Sequence, residues 1–133
     1  MWVIKMKAQL SNIIESFTDV YGFISCKSYK KERMDLNKDD YFSDYSFLDA
    51  YKTIITLGFP YPSSEVKWKG KGYGILARFS YSNDYHIVIQ NMLDSIIVQL
   101  NSIGIKGKGS VDVSKVDEKY AAYLSGIGYF GKN

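Results

Sequence analysis

Residues 111–133 read VDVSKVDEKYAAYLSGIGYFGKN, and three kinds of backbone follow one another within them. Ser110 to Val113 is a short run with two valines, which predicts a strand that delivers Asp112. Val116 to Ser125 carries helix-forming Glu, Lys and Ala with Tyr120 and Leu124 four apart, which predicts a helix. Gly126 stands where a glycine past the last turn would end it. Helices alternating with strands in this way, extended upstream, give the expected fold class: α/β, a mixed β-sheet covered by helices in a single domain over residues 1–133.

Working back along the chain, Leu10, Ile13, Ile14, Phe17 and Tyr21 recur at three- and four-residue steps, so an amphipathic helix is expected from roughly Lys5 to Val20, ended by Gly22. Phe23 to Cys26 reads as a short strand. From Lys27 to Asp44 charges of both signs alternate with aromatics and no period holds, which reads as a loop, with a short helix that cannot be placed or a flap as alternatives. Lys52 to Phe59 (KTIITLGF) is β-branched and bounded by Pro60 and Pro62, a central strand. Gly74 to Tyr81 (GILARFSY) alternates like a further strand. Ser82-Asn83-Asp84 is a cap cluster, and Ile89, Met92, Leu93, Ile96, Ile97, Leu100 and Ile103 then repeat with helical spacing up to Gly104.

Size and composition set bounds. A chain of 133 residues with 46% apolar and 16% aromatic residues can bury a sizeable core, roughly two-thirds of its unfolded surface. Cys26, the sole cysteine, rules out an intramolecular disulfide and a four-thiolate iron–sulfur cluster within one chain. It is expected to be a buried small apolar residue. The first residues lack a secretory core and no apolar run approaches the about 20 residues needed to span a bilayer, so the expected setting is the cytoplasm, with no membrane partner.

The formal charge of +3 is modest. Locally, Lys67, Lys69, Lys71 and Arg78 crowd together with Trp68 and Tyr73, either a solvated basic loop or a surface for nucleic acid. His86, with Tyr85, falls in the first turn of the helix after Asp84, where free backbone N–H groups favour anions. It is either exposed structure or part of a site.

The loop Gly126-Ile127-Gly128-Tyr129-Phe130-Gly131 matches G-x-G-x-x-G. It is not a dinucleotide fingerprint: that motif needs a strand before the glycines and a helix after them, and here the helix precedes them.

Taken together, Phe59-Pro60-Tyr61-Pro62, Ala77-Arg78-Phe79, Asp84-Tyr85-His86, Val111-Asp112, Glu118, Ala121-Ala122 and the run Gly126 to Asn133 resemble, in order and spacing, the N-terminal, cobalamin-binding part of the epoxyqueuosine reductases of tRNA queuosine synthesis. The likeness covers about residues 50–133. Lys115, Lys119 and Asn83 depart from the family's usual proline, arginine and arginine.

The resemblance implies a corrinoid oxidoreductase site. Cobalamin would be held by Asp84, Tyr85, His86, Gly126, Gly128, Gly131 and Lys132, and Asp112 would be the proton donor. It implies tRNA as a partner. The resembled proteins continue with further strands and a domain whose cysteines ligate iron–sulfur clusters, so this chain is expected to be an incomplete copy or fragment, inactive alone and holding no cluster or other protein-ligated metal. Self-association through an exposed sheet edge is a second expectation. The other reading is a non-catalytic module that binds a corrinoid, an RNA or a protein.

Overall fold

The computed structural model describes residues 2–36, 44–60, 67–76, 83–112 and 115–131. In chain order these form α1 (Trp2–Glu15), β1 (Val20–Ser25), α2 (Cys26–Leu36), a 3-10 turn (Ser46–Ala50), β2 (Thr53–Gly58), α3 (Tyr85–Ser102) and α4 (Glu118–Leu124). The class is α/β. The paired strands among the described residues are β1 and β2, antiparallel, in a register that runs from Val20 opposite Gly58 to Ser25 opposite Thr53. Among the described residues no helix is long and apolar enough to cross a membrane.

The first helix begins and ends earlier than its apolar spacing suggests. Thr18 stops it: its hydroxyl donates to the Gly58 carbonyl at 2.5 Å and accepts from the Val20 N–H at 3.1 Å, turning the chain into β1. Gly22, expected to end α1, therefore lies inside β1 opposite Thr56. A Cβ there would sit 2.5 Å from the Ser125 carbonyl oxygen and 2.8 Å from Ile127 Cγ2. The missing side chain lets the end of α4 rest directly on the sheet, where the Thr56 and Ser125 hydroxyls lie 2.5 Å apart.

Residues 26–36 are helical, although the sequence predicts that Cys26 ends a strand and that Lys27 onward is a loop, with a short helix as an alternative. Ser25 caps them by accepting from the Ser28 N–H at 3.0 Å. The buried positions Cys26, Tyr29 and Arg33 follow helical spacing and face a core with Tyr45, Leu48, Tyr120 and Ala121. Cys26 is buried as expected, and desolvation pushes its thiol up. Tyr29 has no exposed surface; its ring meets those of Tyr45 and Tyr120 edge-on at 6.1 and 6.2 Å, and burial pushes its phenol up to about 12.

α3 and α4 follow the sequence reading closely. Asp84 and Asp117 cap their N-termini, accepting from His86 N–H and Tyr120 N–H, each at 3.0 Å. α4 ends in a Schellman arrangement: Gly126, at φ +81°, donates to the Tyr123 carbonyl and Ile127 donates to that of Ala122. The strand expected over Ser110 to Val113 does not form in its described part, residues 110–112. Asp112 has φ +56°, a left-handed conformation that an extended strand excludes, so it sits on a bend. Gly74 to Leu76 is likewise not strand, and the rest of that expected strand, with Arg78, lies outside the described residues.

Candidate functional site

The N-terminus of α3 and the bend at Asp112 meet. Because Asp84 caps α3, the two residues that follow are fixed in its first turn, with the Tyr85 ring stacked on the His86 imidazole at 4.0 Å between centroids. Asp84 Oδ1 accepts both the His86 backbone N–H, at 3.0 Å, and a hydrogen bond with His86 Nδ1 at 2.8 Å. On the other side of the ring, His86 Nε2 lies 2.9 Å from Asp112 Oδ2. The Tyr85 hydroxyl donates to that same oxygen. Asp112 is held in turn from below, since its N–H donates to Glu118 Oε1 at 2.8 Å, and Glu118 opens α4. Residues 26 apart in sequence thus form one cluster.

The proton inventory of this clamp is decided by valence. Ionised carboxylates only accept, and a neutral imidazole has one N–H, so an imidazole with an ionised carboxylate on each nitrogen is fully satisfied only as the imidazolium. His86 is accordingly raised above its ordinary 6.5, by Asp84 first and with smaller help from Asp112. Asp84 is lowered, chiefly by His86. Glu118 is raised, mainly by burial and further by the Asp112 carboxylate, against the pull of the Asp112 N–H.

A raised His86 contributes stability that is complete below about pH 6.5 and lost as pH rises through its folded value; a lowered Asp84 contributes above its ordinary 3.8 and loses this as pH falls through its folded value. The clamp is therefore complete between those two ordinary values. His86 is the only histidine, so a proton NMR titration follows one imidazole. Its midpoint is expected above 6.5 and should drop in Asp84→Asn; an unchanged midpoint would mean that the clamp does not form in solution.

Beside the clamp, β2, α3 and residues 104–112 and 115–118 border a groove of about 1760 Å³ among the described residues. Its walls are largely apolar, with Ile54 and Leu57 of β2 and Val88, Met92 and Ile96 of α3 in the lining, and Tyr85, Asp112 and Glu118 contribute polar groups to it. Asp112, expected to face a pocket, lines this groove with its side chain 44% exposed.

The other expected site residues lie apart. Gly126, Gly128 and Gly131 do not line the groove. Gly126 serves the end of α4, and a Cβ on Gly128 would meet Ala122 at an ordinary 3.6 Å. Around Gly131 there is open space, and Lys132 lies outside the described residues. Lys67, Lys69 and Lys71 are exposed on a separate loop. Among the described residues no group of three His, Cys, Asp or Glu side chains converges as a metal site.

Sequence reasoning missed the part of Glu118 in holding Asp112. The available signal was a carboxylate in the first turn of a helix six residues after another acid on a turn, and that spacing is too common to single it out.

A family model described as epoxyqueuosine reductase QueG, DUF1730 matches residues 43–113, more than half of the chain. The chain belongs to the epoxyqueuosine reductase DUF1730 family. The matched segment contains both halves of the clamp, Asp84-Tyr85-His86 and Asp112, and stops short of α4 and the glycine loop.

Among curated members, the epoxyqueuosine reductase of Atelocyanobacterium thalassa is 26% identical over 87% of this chain and 38% of its own length. That of Bacillus anthracis is 30% identical over 65% of the chain and 24% of its length, and that of Bacillus subtilis 26% identical over the whole chain and 40% of its length. The chain thus spans between about a quarter and two-fifths of these epoxyqueuosine reductases. No solved structure matches it.

Proposed function

We propose that this chain supplies the corrinoid-binding part of an epoxyqueuosine reductase acting on tRNA in the cytoplasm, with Asp112 as the acid at its site. The observation that carries this reading is the meeting of Asp84-Tyr85-His86 with Asp112, of which Tyr85 and Asp112 line a wide, apolar groove. Such a groove suits the flat, largely apolar body of a macrocycle, and polar groups confined to one stretch of its wall suit a reaction at one face.

Removing an epoxide oxygen to leave an alkene takes two electrons and two protons and releases water. Cobalamin, when bound, would supply the electron-rich centre that no side chain offers, its electrons coming from the iron–sulfur clusters of the resembled enzymes. The chain's own residues account for one of the two protons. His86, held as the imidazolium, keeps it on Nε2 2.9 Å from the ionised Asp112 Oδ2, so Asp112 acts as the acid by passing the imidazolium's proton on to the leaving oxygen, while Asp84 holds the ring in place through Nδ1 and solvent supplies the second proton. Tyr85 steadies the same carboxylate oxygen, and Glu118 fixes its backbone.

Titration with hydroxocobalamin tests the binding step. The parent chain is expected to give a base-off spectral shift, and Asp112→Ala should retain it, because that residue's work is proton delivery. Val88→Trp fills the groove and should weaken binding, whereas Gly128→Val fills the glycine loop; a loss confined to Gly128→Val would move the corrinoid from the groove to the loop. Absence of any shift in the parent at millimolar corrinoid would defeat this reading.

A further inference from the structure

The loop from Lys67 to Tyr73 (KWKGKGY) is outside the groove and belongs to none of the contacts above. Two large aromatics stand out of it: Trp68 is 62% exposed and Tyr73 is 63% exposed. They are not held loosely. The Tyr73 N–H donates to the Gly70 carbonyl at 3.2 Å, closing a turn around Lys71 and Gly72, and Gly70 and Gly72 take φ +109° and +93°, values that glycine reaches without strain. The Trp68 indole N–H then donates to the Tyr73 carbonyl at 2.9 Å, which ties the ring's edge to the turn and leaves its faces to solvent. Residues 67–76 contain three lysines and no acid.

Burying an aromatic is worth more than exposing it, so two exposed rings in a braced turn ringed by cations require a partner with flat apolar faces and negative charge. Unpaired nucleotides have both: bases stack on aromatic rings and phosphates pair with lysines. An acidic protein would satisfy the lysines and leave the rings without partners. A duplex hides its base faces.

We propose that the Lys67–Tyr73 turn is a docking platform for single-stranded RNA, on which one base stacks against Trp68 while Lys67, Lys69 and Lys71 engage neighbouring phosphates. The choice of RNA rests on the tRNA reading above; the stacking and charge do not.

The test uses the chain's own fluorescence. It has two tryptophans, so Trp2→Phe leaves Trp68 as the single emitter. A single-stranded oligoribonucleotide is expected to quench that emission, and a duplex of the same sequence to bind more weakly. With a labelled oligonucleotide, Trp68→Ala should weaken binding about tenfold, and Trp68→Phe should keep most of it. Replacing all three lysines with glutamine should lower the slope of log affinity on log salt by about 2. Unquenched emission, equal affinity in Trp68→Ala, or tighter binding of the duplex would overturn the proposal. No corrinoid is present in these measurements, so their failure leaves the groove reading standing, and a failed corrinoid titration leaves the platform standing.

Discussion

Gly22→Ala is expected to destabilise the chain by about 3 kcal/mol, read as a lower urea midpoint. The sign is informative, because glycine inside a strand ordinarily costs about 0.5–1 kcal/mol relative to alanine and its replacement should help. Here the added methyl would lie 2.5 Å from the Ser125 carbonyl oxygen, and backbone cannot step aside as a side-chain tip can. Shortening one neighbour in Ile127→Ala removes one of two 2.8 Å contacts but leaves the Ser125 carbonyl and Cβ, so the double variant should recover only part of the loss. A midpoint at or above the parent's would show that α4 does not rest on β1 as described.

Arg33→Ala should cost a similar amount, about 3 kcal/mol or more. The guanidinium is buried, with Nη1 3.2 Å from Asp117 Oδ2, Nε 3.4 Å from the Tyr45 hydroxyl, and its carbon 5.0 Å from the centre of the Tyr120 ring. Truncation opens a cavity and strips the Asp117 carboxylate of its partner at the start of α4. Arg33→Met keeps volume and should lose less. In a double-mutant cycle with Asp117→Asn the two changes should fall short of additive; strict additivity would mean that the pair is not formed in solution.

How much of this was legible depends on what each buried face is made of. α1 and α3 bury or half-bury aliphatic side chains at a helical period, α4 buries Tyr120 in a run of helix formers, and β2 is a β-branched run bounded by prolines, so their existence could be read directly. α2 buries a cysteine, a tyrosine and an arginine among five other charged residues, so hydrophobicity carried no period there; only the 26, 29, 33 spacing and Ser25 as a cap were present as signals. The bend at Asp112 was illegible for another reason. Valines on both sides of it favour a strand, and the left-handed backbone depends on Glu118 receiving its N–H, a contact between separate elements.

The candidate site divides the same way. Asp84, Tyr85, His86 and Asp112 were each singled out, and the structure brings them together, but the bond between Nε2 and Oδ2 depends on how α3 and the bend approach one another. The glycines were read as approaching a ligand. Gly126 was also read as ending α4, and it does so, while a close approach that glycine permits within the fold occurs at Gly22, which the sequence offered as a helix stop.

Two long-range hydrogen bonds tie the start of α4 to α2. The Asp117 N–H donates to the Tyr29 hydroxyl at 2.9 Å across 88 residues, and the Asp117 carboxylate takes Arg33 across 84. A helix of seven residues is too short to persist by itself, so α4 needs the β1–β2 sheet and α2 in place before it forms. During synthesis β1, α2 and β2 can pair through nearby contacts well before residue 117 is made, while the Glu118 that fixes Asp112 becomes available only after the longest loop closes. The acid of the clamp is thus among the last groups to be set, and a folding chain carries its basic, aromatic turn exposed while that acid is still unformed.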